Sequence, residues 1–238
     1  MNHWIVLFVF FCLSLAPSHG GPTWKFGENS WLQLSFLGQV HYSFMDDAPD
    51  EHDFYLRRGR LILMGQVSEG IKFFVETDND NFGKRGVSAN TDLQDVFLDI
   101  QLGKSNHWVE LGLILLPFSF EGTSSAVSLL GNDYNAEIMK LTNSFVWRDL
   151  GAMFHGHLGE RFAYRVGAFD GYEVADKNPE AEVRLTGHVA YNLLGKVETG
   201  WFASQNRLPQ ESYLSVGLGF DSQGKATLDA SGLAVDAD

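Results

Sequence analysis

From residue 31 onward, apolar and polar positions alternate with a period of two over one segment after another. That is the signature of strands with two unlike faces. In residues 31–44, Leu32, Leu34, Phe36, Gly38, Val40, Tyr42 and Phe44 fall on one face. Gln33, Ser35, Gln39, His41 and Ser43 fall on the other. The pattern recurs in residues 55–67, 71–77, 94–102, 109–115, 150–158, 162–169, 183–193, 197–204 and 213–220, and again from residue 226. It predicts about eleven strands. Several run longer than the usual globular strand of about 5–6 residues and approach the about 9–11 that cross a bilayer.

The connections form a second pattern. Minimal turns at 68–70, 103–107, 159–161, 194–196 and 222–224 alternate with long polar stretches at 45–53, 79–90, 117–149, 170–178 and 205–211. Tight turns at one rim and long loops at the other mark an up-and-down membrane barrel. The longest stretch, 117–149, is expected to fold inward, with a short helix over 132–141.

Composition narrows the class. Aromatics make up 13% of the 238 residues, with 25 glycines and only 6 prolines, which suits strands and tight turns. A net charge of -13 argues against nucleic-acid binding, which needs a basic footprint. The single cysteine, Cys12, lies in the apolar N-terminal run, so a processed chain has no disulfide. That run, WIVLFVFFCLSLA at 4–16, is shorter than the about 20 residues of a membrane helix. Pro17 ends it, and Ser18 and Gly20 are small residues suited to cleavage after Gly20. Residues 1–20 are therefore expected to be a signal peptide, although no Lys or Arg precedes the run, and 21–238 one β domain.

Parity puts Arg58, Arg60, Lys72, Glu76, Asp95, Asp99, Glu110, Arg165, Arg184 and Glu198 on the polar face, as pore-lining candidates. Opposed charges along a wet lumen would admit small polar solutes and reject apolar ones. His155 and His157 share that face with His41 and His188, but no Asp or Cys stands beside them at paired ligand spacing, so no metal is expected. No nucleophile, triad or phosphate-cradling glycine loop is found, so neither an enzyme nor a cofactor is expected.

Three stretches carry a resemblance. FYLRRGRLILMGQVSEGIKFFVETD (54–78), VELGLILLPFSFEGTSS (109–125) and WRDLGAMFHGHLGERFAYRVGAFDGY (147–172) resemble, in order, segments of the phosphate-selective porin O and P family. The resemblance implies an outer-membrane β-barrel channel, exported through the signal peptide, for small hydrophilic solutes, including anions such as phosphate. It implies a constriction loop at Pro117, Phe118 and Glu121, contact with membrane lipids and lipopolysaccharide, and a homotrimer as the candidate assembly at full length. Two features depart from it. Residues 113–116 (LILL) stand where the family carries a Lys before Pro-Phe, which bears on anion choice, and the chain ends LAVDAD without a terminal aromatic. The expectation is a C-terminally truncated, incomplete barrel. The same residues also admit a soluble or surface all-β binding module of carbohydrate type, gripping its ligand with exposed Trp and Tyr.

Overall fold

The computed structural model describes residues 21–44, 52–135, 138, 147–171, 182–206, 212–224, 227–228 and 234–235. The expected signal peptide, the acidic residues at 46–51, Tyr172 and half of the expected helix at 132–141 lie outside them. Ten strands form one antiparallel sheet in sequence order: β1 (Thr23–Lys25), β2 (Trp31–Phe44), β3 (His52–Ser68), β4 (Ile71–Asp78), β5 (Asp92–Gln101), β6 (His107–Leu115), β7 (Arg148–Leu158), β8 (Phe162–Phe169), β9 (Arg184–Leu194) and β10 (Leu214–Ser222). Two short strands, β11 (Thr227–Leu228) and β12 (Ala234–Val235), pair separately. The sheet is open, since β1 and β10 do not pair, which fits an incomplete up-and-down barrel.

Cross-strand register keeps each face uniform, because a slip of one residue would exchange the faces. An apolar row runs Phe73, Leu98, Leu111, Ala152, Ala168, Leu185 across β4 to β9. The neighbouring row on the other face runs Gln66, Lys72, Asp99, Glu110, Met153. The apolar face is the exposed one: Phe36 is 70% exposed and Leu218 73%. The charged face is covered: Arg58 is 1% exposed and Asp95 0%. Burial is thus inverted relative to a water-soluble protein, whose large apolar patches turn inward.

Two irregular segments cover the charged face. The first follows β6, where the Leu116 amide donates to Trp147 O (3.0 Å) and closes the base of the long connection. It crosses to β10, where a Cβ on Gly219 would stand 1.8 Å from Phe118 O, so only glycine admits the crossing. The second segment corrects the predicted strand at 197–204 and the predicted tight turn at 194–196. β9 leads instead into a connection of residues 195–213. A regular strand would point the adjacent Trp201 and Phe202 to opposite faces. In the irregular segment both pack against Phe74, with ring centroids at 5.3 Å, and Trp201 also meets Phe97 (5.7 Å).

The two segments join over the sheet. Ser124 and Ala203 form an isolated parallel bridge, with Ser125 N donating to Ala203 O (2.8 Å) and Ala203 N to Thr123 O (2.9 Å). Beneath them lies an apolar cluster of Phe74, Phe97, Ile114, Leu116, Met153 and Phe169. The covered face is therefore not wholly polar. Its charges divide into one group near the long loops and another near the short turns.

Candidate functional site

Near the long loops, arginines are matched with carboxylates. Arg60 Nη1 donates to Glu76 (2.8 Å) and its Nη2 pairs with Asp78 (2.8 Å). Arg148 donates to both oxygens of Asp95, at 3.2 and 2.9 Å. Arg184 grips Asp221, which also accepts from the Thr186 hydroxyl (3.1 Å). Glu76 and Asp95 stand directly opposite each other on β4 and β5. Like charges in that position repel, and the two arginines answer them.

Arg58 pairs with Asp133 (2.5 Å) and donates to Gln39 (2.5 Å). Arg57 joins it on the same face, because β3 skips Arg57 where Gln39 pairs with Arg58 and Val40 with Leu56. Such a bulge breaks the period-two alternation. Arg57 then pairs with Asp133 (2.7 Å) and with Asp80. Tyr134 beside it takes the Arg58 guanidinium over its ring (5.6 Å) and donates to Ser124 O (2.7 Å). Burial alone would raise the Asp133 carboxyl, but Arg58 and Arg57 outweigh it and hold the group below the usual aspartate range. The long connection is thereby pinned to β3 by charge. A cavity of about 130 Å³ lies here, lined by Arg57, Arg58, Arg60, Asp78 and Trp147 among others.

Near the short turns the balance differs. Asp99 and Glu110 are again directly opposed, on β5 and β6. No arginine or lysine pairs with either among the described residues. His155 on β7 meets Asp99 Oδ1 through Nε2 (2.9 Å) and lies 3.7 Å from Glu110 Oε2. Trp201 donates from Nε1 to Asp99 Oδ2 (2.8 Å). Lys72 sits over the Trp108 ring (4.4 Å), and Arg165 donates to Gly200 O (2.7 Å). Glu198 accepts from Ser204 N (2.9 Å) within the 195–213 connection and is not on a strand face. A cavity of about 500 Å³ opens beside these groups, lined by Lys72, Asp99, Trp108, His155, Arg165 and Trp201 among others.

The structure thus places nine of the ten lumen candidates, Glu198 excepted, on strands of the covered sheet. It splits them into Arg58, Arg60, Glu76, Asp95 and Arg184 at the loop end, and Lys72, Asp99, Glu110 and Arg165 at the turn end. Pro117 is buried beside Phe118, and Glu121 accepts from Asn135 N (2.5 Å) in the covering connection. Sequence parity missed Arg57, Arg148, Asp133, Asp221 and Trp201. Arg148 carried a signal, the strand-opening Trp-Arg-Asp, but the other partners are set by a bulge, by loop paths and by register.

No curated protein and no solved structure matches the chain. The model of the family described as phosphate-selective porin O and P matches residues 33–201, which span β2 to β9 and most of the covering segments. An open antiparallel sheet with an apolar outer face and a charged, plugged inner face is the wall such a channel needs, and the chain belongs to the phosphate-selective porin O and P family.

Proposed function

We propose that the protein forms the wall of a bacterial outer-membrane channel that passes small hydrophilic solutes by passive diffusion, inorganic anions such as phosphate among them. The observation that carries this reading is the inverted burial. Exposed Phe36, Leu61, Leu150, Val216 and Leu218 suit acyl chains and would be a liability in water. Buried Arg58, Arg60, Glu76, Asp95, Asp99, Glu110 and Arg184 suit an aqueous lumen. The same inversion speaks against a soluble carbohydrate-binding module, which would turn its apolar residues inward. In this reading residues 1–20 direct export, the outer face meets lipid and lipopolysaccharide acyl chains, and the segment from Pro117 through Phe118 and Glu121 narrows the lumen. In lipid, the edges of β1 and β10 must be paired for the wall to close.

Charge pairing sets the kind of passage. Each loop-end arginine is matched by a carboxylate, and a guanidinium already bound by Asp or Glu does not hold a passing anion tightly. Residues 113–116 supply no lysine to the constriction. Anions then cross without being retained, beside cations drawn by the turn-end carboxylates. The test is reconstitution into planar bilayers, under a potassium chloride gradient, in a form whose β1 and β10 edges are paired. Discrete conductance steps are expected, with a reversal potential on the cation side and little block by added phosphate. A silent bilayer would overturn the channel reading, and strong phosphate block would overturn the account of weak retention.

A further inference from the structure

We infer that Asp99, Glu110 and His155 form a binding site for one divalent transition cation of the zinc type, at the turn end of the covered face. The three residues come from three adjacent strands, each is buried, and one ligand atom from each lies within 4.8 Å of the other two. A cation about 2.1 Å from its ligands holds them about 3–3.5 Å apart. The separations of 2.9 Å from His155 Nε2 to Asp99 and 3.7 Å to Glu110 bracket that range.

Four observations point to a cation site and not to a finished polar network. Asp99 and Glu110 face each other directly across β5 and β6, an arrangement that repels unless a positive charge intervenes. The equivalent pair at the loop end, Glu76 and Asp95, is held by arginines in direct ion pairs, whereas this pair makes no Arg or Lys ion pair among the described residues. Lys72, opposite Asp99, lies over Trp108, and Arg165 attracts the pair only from a distance while it donates to Gly200 O. Glu110 is 3% exposed, yet its Oε2 accepts no hydrogen bond and points at His155. A buried carboxylate oxygen without a partner is costly, and a metal ion would satisfy it. Trp201 holds Asp99 by Oδ2, which leaves Oδ1 directed at the imidazole. Partners that orient a ligand in this way are a regular part of metal sites.

Two carboxylate oxygens and one imidazole nitrogen form a mixed donor set that suits zinc, iron or manganese. The remaining coordination position faces the cavity of about 500 Å³, which can supply water or a passing solute. Binding moves the ring proton of His155 to Nδ1, so that Nε2 offers its lone pair to the ion. Individual strands hide the site, because no single one carries two of the ligands at suitable spacing. Register alone assembles it.

The test is titration of the full chain, free of any histidine tag and refolded in detergent, with Zn²⁺ by calorimetry and with Co²⁺ by visible ligand-field absorption. One saturable site is expected, with an imidazole contribution in the Co²⁺ spectrum. His155→Gln and Glu110→Gln each weaken it by at least about 10-fold, and Trp201→Phe by about 10–100-fold, the range for loss of an orienting partner. His157→Ala leaves it unchanged, since His157 is turned to Gly159 O (2.7 Å). Should His155→Gln fail to refold, Glu110→Gln, which removes a repelling charge, gives the same discrimination. No saturable binding, or binding that survives both ligand substitutions, overturns the assignment. Because binding is read in detergent without transport, a silent bilayer recording leaves this inference standing.

Discussion

The two ends of the covered face solve the same electrostatic problem in different ways. Each has a pair of carboxylates directly opposed across neighbouring strands, Glu76 with Asp95 near the long loops and Asp99 with Glu110 near the short turns. At the loop end the chain supplies its own counter-charge: Arg60 reaches Glu76 and Arg148 reaches Asp95. At the turn end the neighbours are an imidazole and an indole, and the cationic side chains on the flanking strands engage an aromatic ring and a carbonyl. Between the ends Phe74 stacks on Phe97 (5.3 Å), so the groups are separated by an apolar belt. The first arrangement is closed and depends on its arginines. The second is open and is completed from outside.

The sharpest way to break the closed arrangement is Arg148→Met. The methionine keeps most of the side chain's volume and leaves Asp95, 0% exposed, facing Glu76 without its partner. Breaking a buried pair from one side costs about 3–5 kcal/mol, and the urea unfolding midpoint of the refolded protein should fall accordingly. A change below about 1 kcal/mol would mean that water screens this end. Gly219→Val comes next. Its side chain would collide with Phe118 O, so the covering connection must shift, at about 1–3 kcal/mol, the range for forced overpacking. Single-channel conductance should rise as the constriction moves; unchanged conductance would show that the crossing does not narrow the path.

Much of this fold is legible in the amino-acid order, for a physical reason. A strand between two unlike media must alternate, so β2 to β9 and the inward parity of Arg58, Arg60, Lys72, Glu76 and Asp99 follow from period two. What eludes such a reading depends on neighbours. Arg57 turns inward only because β3 bulges against β2. Residues 197–204 alternate well enough to suggest a strand, yet consecutive Trp201 and Phe202 gain more by packing on Phe74 than by facing lipid and water separately. Asp133 finds Arg58 through a loop path. Asp99, Glu110 and His155 meet because three strands share a register, and spacing within one strand carries no trace of that.

A smaller effect sharpens the contrast between the carboxylate pairs. In a chelator-treated sample, Glu110→Gln removes one of two opposed charges and supplies an amide donor, so stability should rise by about 0.2–1 kcal/mol. Glu76→Gln should do the reverse, because Arg60 loses half of its pairing. Zn²⁺ at about 100 times the wild-type dissociation constant should stabilise the wild-type protein by about 2.7 kcal/mol and Glu110→Gln, at least about 10-fold weaker, by no more than about 1.4 kcal/mol. Destabilisation by Glu110→Gln without metal would mean that the turn-end pair is already satisfied, and the two ends would then be alike.

The smallest effect concerns the tie between the loop end and its cover. Asp133 sits in the connection and pairs with Arg58 and Arg57, and this pairing depresses its proton affinity despite partial burial. A carboxyl whose folded affinity is depressed adds stability that is fully present above its unfolded value and is lost as pH falls through the folded one. The tie should therefore hold at neutral pH and release only below the ordinary aspartate range. Asp133 is partly exposed, so the contribution stays under about 1 kcal/mol. Hydrogen exchange at the amides of Ser124, Ser125 and Ser128, which are bonded within the cover, reads the release directly. In the wild-type protein their protection should drop in acid, whereas in Asp133→Asn it should be lower at neutral pH and insensitive to acidification over that range. Equal pH dependence in both proteins would place the acid-sensitive contact elsewhere, and the cover would then be held by its bridge to Ala203 and by Phe118 on Gly219 alone.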